Sequence, residues 1–236
     1  MTRAAPLLGP NPSTSWYLEA FRALRAAVQA LRPEGPMGAL LITSAQPGEG
    51  KSTVASNLAT VLALSEKRTL LVDADFPLPQ LHLLFGLKQA PGLTDVCVGE
   101  VAAADAIVST ATPLLSFLPV GSHADAGADL SGSVRLAQVF ADLRRDWDAV
   151  VIDTAPVNAF AGTLQLAASA DQVLFVVRSR SSTGQVQRAL KALESVGVRV
   201  PGIVLNDVLA EDLEHGPRYP NYYAPARVPE ANGPNS

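Results

Sequence analysis

Cysteine is almost missing: Cys97 stands alone, which leaves no intrachain disulfide and no cysteine-based zinc site. Its place in the run GLTDVCVGE reads as a small core residue. Histidine is also scarce, and its three copies, His82, His123 and His215, lie too far apart in the chain to suggest a histidine metal site. Positive charge is in deficit, with 18 Lys and Arg against 22 Asp and Glu, a net −4. Non-specific nucleic-acid binding needs clustered cations, so that partner class is not expected. No stretch reaches ~18 uninterrupted apolar residues, so no membrane-spanning helix and no direct insertion are expected. The opening MTRAAPLLGPNPSTS has prolines where a secretory signal needs an apolar centre. No internal repeat is found. Together these absences predict a cytoplasmic protein.

What is present points to an α/β domain. With 48% hydrophobic and only 17% charged residues, the chain has enough apolar surface for a sheet covered on both faces. Prolines mark both ends, predicting a flexible tail over 1–13 and a disordered one over 209–236, with the domain over 14–208. Short apolar runs at 37–43, 68–74, 114–120, 148–154, 171–177 and 200–206 read as strands. Helical periodicity appears at 14–32, 52–64, 133–146, 161–169 and 183–197. In the first helix Ser15 suits the N-cap, with Leu18, Phe21, Leu24, Ala27, Val28 and Leu31 on one face. Alternating β and α elements predict a mostly parallel sheet with helices on both faces and ligand chemistry at the carboxyl ends of its strands.

Directly after the first strand comes Ala45-Gln46-Pro47-Gly48-Glu49-Gly50-Lys51-Ser52, a P-loop pattern with Ala where the first Gly often stands. Gly48 and Gly50 allow backbone N–H groups to turn toward phosphate, and the helix N-terminus adds positive potential. In such a loop Lys51 reaches the β- and γ-phosphates of ATP, Ser52 ligates Mg2+, and Thr53 faces the α-phosphate. Two further strands end in carboxylates: Asp73 and Asp75 after the second, and Asp153 in VVIDT. A buried strand that ends in Asp delivers its carboxylate to the magnesium shell, as in a Walker B motif.

ITSAQPGEGKSTVASNLA followed by LLVDAD and VVIDTAP resembles the MinD/ParA-like P-loop superfamily. Within it, that first segment, the ExxRxxR segment of Glu19, Arg22 and Arg25, the stretches GLTDVCVGE and IVLND, and a tyrosine-bearing tail resemble the bacterial tyrosine kinases (BY-kinases) of the CpsD/CapB type. The resemblance covers roughly residues 14–208. It implies a protein-tyrosine autokinase of exopolysaccharide or capsule synthesis, activated by a membrane-spanning chain-length (co-polymerase) partner that recruits it to the inner face of the membrane. Lys51 would neutralise the transferred phosphoryl. Ser52, Asp75 and Asp153 would hold Mg2+, Asp73 would orient or deprotonate the tyrosine, and Asn206 would read adenine. The alternative reading of Asn206 is a simple strand-end turn residue. Glu19, Arg22 and Arg25 would mediate a ring-like homo-oligomer; otherwise they form a solvated intrahelical pair. Tyr219, Tyr222 and Tyr223 would be the autophosphorylation sites, unless they are incidental to the tail.

Three positions set expectations apart from the family pattern. Gln46 is neutral where MinD and ParA ATPases carry a lysine that crosses their dimer, which favours the kinase branch. Phe76-Pro77-Leu78-Pro79 stands where the kinases have basic residues, and Ala161-Gly162-Thr163 where they often have an Asp. Two other readings follow: a non-catalytic ATP-binding regulator of polysaccharide export, or a MinD/ParA-type ATPase with water as acceptor.

Overall fold

The computed structural model describes residues 7–8, 15–31 and 37–208. Among them one seven-stranded sheet forms, its strands being β1 (Gly38–Ser44), β2 (Thr69–Ala74), β3 (Val108–Ser109), β4 (Leu115–Leu118), β5 (Ala149–Thr154), β6 (Gln172–Arg178) and β7 (Gly202–Asn206). Their spatial order is β3-β4-β2-β5-β1-β6-β7. All neighbours pair in parallel except β3, which runs antiparallel to β4. Nine α-helices are described: α1 (Ser15–Ala30), α2 (Lys51–Ala63), α3 (Leu81–Phe85), α4 (Leu93–Val98), α5 (Ala103–Ala106), α6 (Gly127–Ser131), α7 (Val134–Asp146), α8 (Gly162–Ala168) and α9 (Thr183–Ser195).

Strand alternation sorts the core into two halves. Leu41, Val72, Ile152 and Phe175 face one side, where Phe140 and Leu143 of α7 and Leu193 of α9 cover them. Leu40, Leu71, Val151 and Leu174 face the other, under Leu58 and Leu62 of α2 and Phe21 and Val28 of α1. Period two along each strand explains the division, because successive side chains leave opposite faces. Cys97 belongs to the first half, and burial pushes its thiol up to about 11.

All six expected strands and all five expected helices are present, with ends shifted by a few residues. In α1, Phe21 and Val28 are buried as expected, but Ala27 and Leu31 are exposed. The apolar stripe is therefore narrower than its periodicity suggested. Ser15 is already helical, which moves the expected cap out of the described residues. The tails at 1–13 (apart from residues 7–8) and 209–236, with Tyr219, Tyr222 and Tyr223, lie outside the described residues. No helix among the described residues is long and apolar enough to cross a membrane.

β5 inserts between β1 and β2, and this crossover builds the site. It sets Asp153 directly opposite Asp73 in register, and beside the end of the strand that feeds the P-loop.

Candidate nucleotide site

The P-loop leaves β1, every residue of which is buried, and enters α2 at Lys51. Gly48 and Gly50 adopt φ of 80° and 93°, which L side chains rarely tolerate. A Cβ at Gly50 would also lie 2.0 Å from Nδ2 of Asn206 and would displace that side chain from the loop. The Gln46 N–H donates to Oε2 of Glu49 at 2.8 Å, and Ser44 Oγ donates to the Gln46 carbonyl at 2.9 Å. The first N–H groups of α2 have no intrahelical acceptor and give this end positive potential, the usual preparation for anion binding. Pro47 and Gly48 are exposed at the rim, Ser52 and Thr53 half-buried in the first turn.

Beside the loop three carboxylates gather, two of which, Asp75 and Asp153, feel the Lys51 charge. Asp73, Asp75 and Asp153 are all buried, and Lys51 Nζ lies 3.6 Å from Asp75 Oδ2. Asp73 accepts the N–H of Asp75 on Oδ1 and that of Leu81 on Oδ2, each at 3.2 Å. Asp75 Oδ1 accepts the Leu78 N–H at 3.2 Å. Burial, then the nearby Asp153 charge, raises the Asp73 carboxyl well above its usual range. Burial also raises Asp75, against the pull of Lys51. It takes Asp153 to about 7, although Lys51 and a hydrogen bond from Ser52 favour its ionised form.

One atom in this cluster has no protein partner: Oδ1 of Asp153, buried and unbonded. A buried carboxylate oxygen without a donor is costly. An oxygen-seeking cation of the Mg2+ type satisfies it, and the Ser52 hydroxyl and the Asp75 carboxylate are oxygen ligands of the right kind. The donor set therefore fits magnesium.

Asn206 ends β7 and turns its Nδ2 onto the Glu49 carbonyl at 3.0 Å, so this strand-end residue is tied to the P-loop. Gln46 Nε2 faces Gln185 Oε1 at 3.4 Å, and Asn158 donates to the Gln185 carbonyl at 3.0 Å. No cation occupies the Gln46 position. In α1, Glu19 and Arg22 form an exposed pair, while Arg25 turns inward to the Val61 carbonyl at 3.2 Å. The fold thus engages Arg25 differently from its two companions.

The structure brings together residues that sequence reading missed. Ser181, from the turn between β6 and α9, donates its hydroxyl to Oε1 of the buried Glu49. It lies 132 residues from its partner, in a polar run without any recognisable motif. His123, far in sequence from the other histidines, is placed by the fold with Asp95 and Glu100, their ligand atoms within 4.8 Å of one another. Asp95 is the acid at the third position of α4 and accepts the Gly92 and Ser122 N–H groups, at 2.7 and 3.0 Å. Those bonds give Asp95 a structural duty, fastening the 121–123 turn to α4.

Residues 39–199 match the family model described as "AAA domain". EpsB of Ralstonia solanacearum is 36% identical over 208 residues, covering 87% of this chain but 28% of its own length, so the chain spans under a third of that relative. The tyrosine-protein kinase YwqD of Bacillus subtilis is 32% identical over 200 residues, covering 84% of both chains. Among solved structures, the kinase domain of the Escherichia coli tyrosine kinase ETK superposes with TM-score 0.80 at 27% identity, over 89% of this chain and 82% of that one. The septum site-determining protein MinD of Pyrococcus horikoshii, complexed with Mg-ADP, gives TM-score 0.62 at 25% identity, over 71% and 69%. A P-loop feeding from β1, acid-tipped β2 and β5 beside it, and a match to YwqD along most of both chains agree: this chain belongs to the bacterial tyrosine-protein kinase family built on the P-loop AAA domain.

Proposed function

We propose that this domain is an ATP- and Mg2+-dependent protein-tyrosine kinase that phosphorylates itself, acting in exopolysaccharide or capsule synthesis, the setting of its relatives. The observation that carries the reading is the cluster of Lys51, Asp75, Asp73 and the unpartnered Asp153 Oδ1 at adjoining strand ends.

Residues 46–53 receive the phosphates, with Lys51 against the β- and γ-oxygens. Ser52, Asp75 and Asp153 hold Mg2+, which when bound neutralises charge on the phosphates. Asp73 accepts the proton of the tyrosine hydroxyl as the phenolic oxygen bonds to the γ-phosphorus and the bond to the β,γ-bridging oxygen breaks, releasing ADP. Phosphoryl transfer depends mainly on positioning and electrostatics, so this small set suffices. The Asn206 Oδ1 that remains beside the P-loop is suited to the adenine edge. Tyr219, Tyr222 and Tyr223 are the acceptors, each phosphate adding about −1.5 to −2 charge. The exposed Glu19–Arg22 pair, with Arg25, is the contact of a homo-oligomer whose association that charge would weaken. A membrane-spanning co-polymerase is the activator and brings the cytoplasmic domain to the membrane.

A second reading is an ATP-binding regulator of export without turnover. It is favoured by the segment after Asp75, where Phe76 is buried against Phe160 and Leu78 is exposed, with no basic residue through Pro79.

Incubation with Mg·ATP followed by intact mass measurement separates the two. It is run on wild type, Lys51→Met and a Tyr219/Tyr222/Tyr223→Phe variant, with and without the co-polymerase cytoplasmic segment. Kinase activity gives additions of about 80 Da per phosphate, lost in both variants. ATP bound with no mass gain under either condition overturns the kinase reading in favour of the regulator.

A further inference from the structure

A carboxylate inside a phosphate-binding loop is an electrostatic liability, because it resembles the ligand. Glu49 is such a group: it lies between Gly48 and Gly50, and only 3% of it is exposed. Two donors hold its side chain aside. The Gln46 N–H takes Oε2 at 2.8 Å, and the Ser181 hydroxyl takes Oε1. Asn206 clamps the same residue through its backbone carbonyl at 3.0 Å. Two of these three contacts come from outside the loop, from the β6–α9 turn and the end of β7.

We propose that Ser181 is a positioning residue of the phosphate cradle: with Oε2 already on the Gln46 N–H, it holds Oε1 of Glu49 away from the remaining loop and α2 N–H groups that must receive phosphate. The inference rests on the reading of residues 46–53 as that cradle. Without the Ser181 hydroxyl, Oε1 loses its donor in a buried position, which is costly for a carboxylate. Replacement donors exist in the loop itself and in the first turn of α2, whose N–H groups lack an intrahelical acceptor. A carboxylate seated there competes with the nucleotide phosphates and leaves the nucleoside untouched. The Ser181 contact therefore sets affinity for ADP and ATP through Glu49.

Calorimetric titration with ATP, ADP and adenosine tests this on wild type, Lys51→Met, Ser181→Ala, Ser181→Thr and the double variant Ser181→Ala with Glu49→Gln. Ser181→Cys, nearly the same size and a poor donor, serves if the alanine variant does not fold. Loss of the hydroxyl weakens ATP and ADP by roughly tenfold, the scale of a hydrogen bond to a charged group. Adenosine affinity stays as in wild type. Threonine restores the diphosphate and triphosphate affinities. Glu49→Gln in the alanine background recovers most of the loss, because the competing anion is gone. Unchanged ATP affinity in Ser181→Ala and Ser181→Cys, while Lys51→Met abolishes binding, overturns the inference and leaves the cradle intact. A loss equal for adenosine and ATP, or no rescue by Glu49→Gln, overturns it as well by showing general damage. If wild type binds no ATP and Lys51→Met changes nothing, the cradle reading itself fails and takes the inference with it.

Discussion

Asp153 shows how a single residue is held against its own preference. Burial moves its carboxyl to about 7, so in the ligand-free protein the folded state binds a proton more tightly than the unfolded chain does. Its contribution to stability therefore falls as pH rises from about 4 toward 7. Asp153→Asn keeps the shape and removes the charge. The expected outcome is a nucleotide-free protein more stable by on the order of 1–3 kcal/mol at pH 7.5, seen in denaturant unfolding, and without Mg2+-dependent ATP affinity. Equal stability of the two proteins would show that the buried acid costs nothing. The positions of Lys51, Ser52 and Asp153 at a loop–helix junction and a strand end were legible in the sequence because they follow local spacing: a strand, a glycine turn and a helix for the first two, an apolar run ending in Asp for the third. Ser181 was not, since nothing in RSRSST marks a hydroxyl that will meet Glu49.

At the scale of elements, the link between α4 and the 121–123 turn depends on two groups with opposite pH behaviour. Burial by itself raises Asp95, but hydrogen bonds from the Gly92 and Ser122 N–H groups, helped by His123, hold it below the usual range. The bond to Glu100 raises His123, with Asp95 and Asp125 adding to the effect. A depressed acid contributes stability above its unfolded value and loses it as pH falls through the folded one. A raised histidine contributes fully below its unfolded value and loses that as pH rises through the folded one. The latch is thus strongest between about pH 4 and pH 6.5. Amide exchange of the Ser122 and His123 N–H groups, corrected for the intrinsic rate, should be slowest in that window and quicken above it. His123→Ala should remove the upper edge alone. The sequence left this contact hidden because 28 residues separate Asp95 from His123, and short helices with one buried turn carry no readable period.

At the scale of the whole molecule, the sheet separates two cores that the strands share. Phe140 of α7 is fully buried in the first, and Phe140→Ala should cost about 3–5 kcal/mol in a two-state unfolding measurement. Nucleotide should restore part of that by mass action, since only the folded state binds it. The sequence by itself determined the longer elements, the mostly parallel sheet and the glycine-bearing loop, because each depends on period two, period 3.6 or a contiguous glycine turn; β3 and the short helices α3 to α6 were too brief to show a period. It also supplied both acidic strand ends, but as separate stretches. The tertiary structure alone decided that β5 lies between β1 and β2, which turns two distant aspartates into register partners and leaves one Asp153 oxygen unmatched. It also decided what braces the loop, through Ser181 and Asn206, and where His123 finds its carboxylates. Strand order and long-range side-chain contacts arise from how elements of similar local pattern are packed around two cores, and no window of sequence encodes that choice.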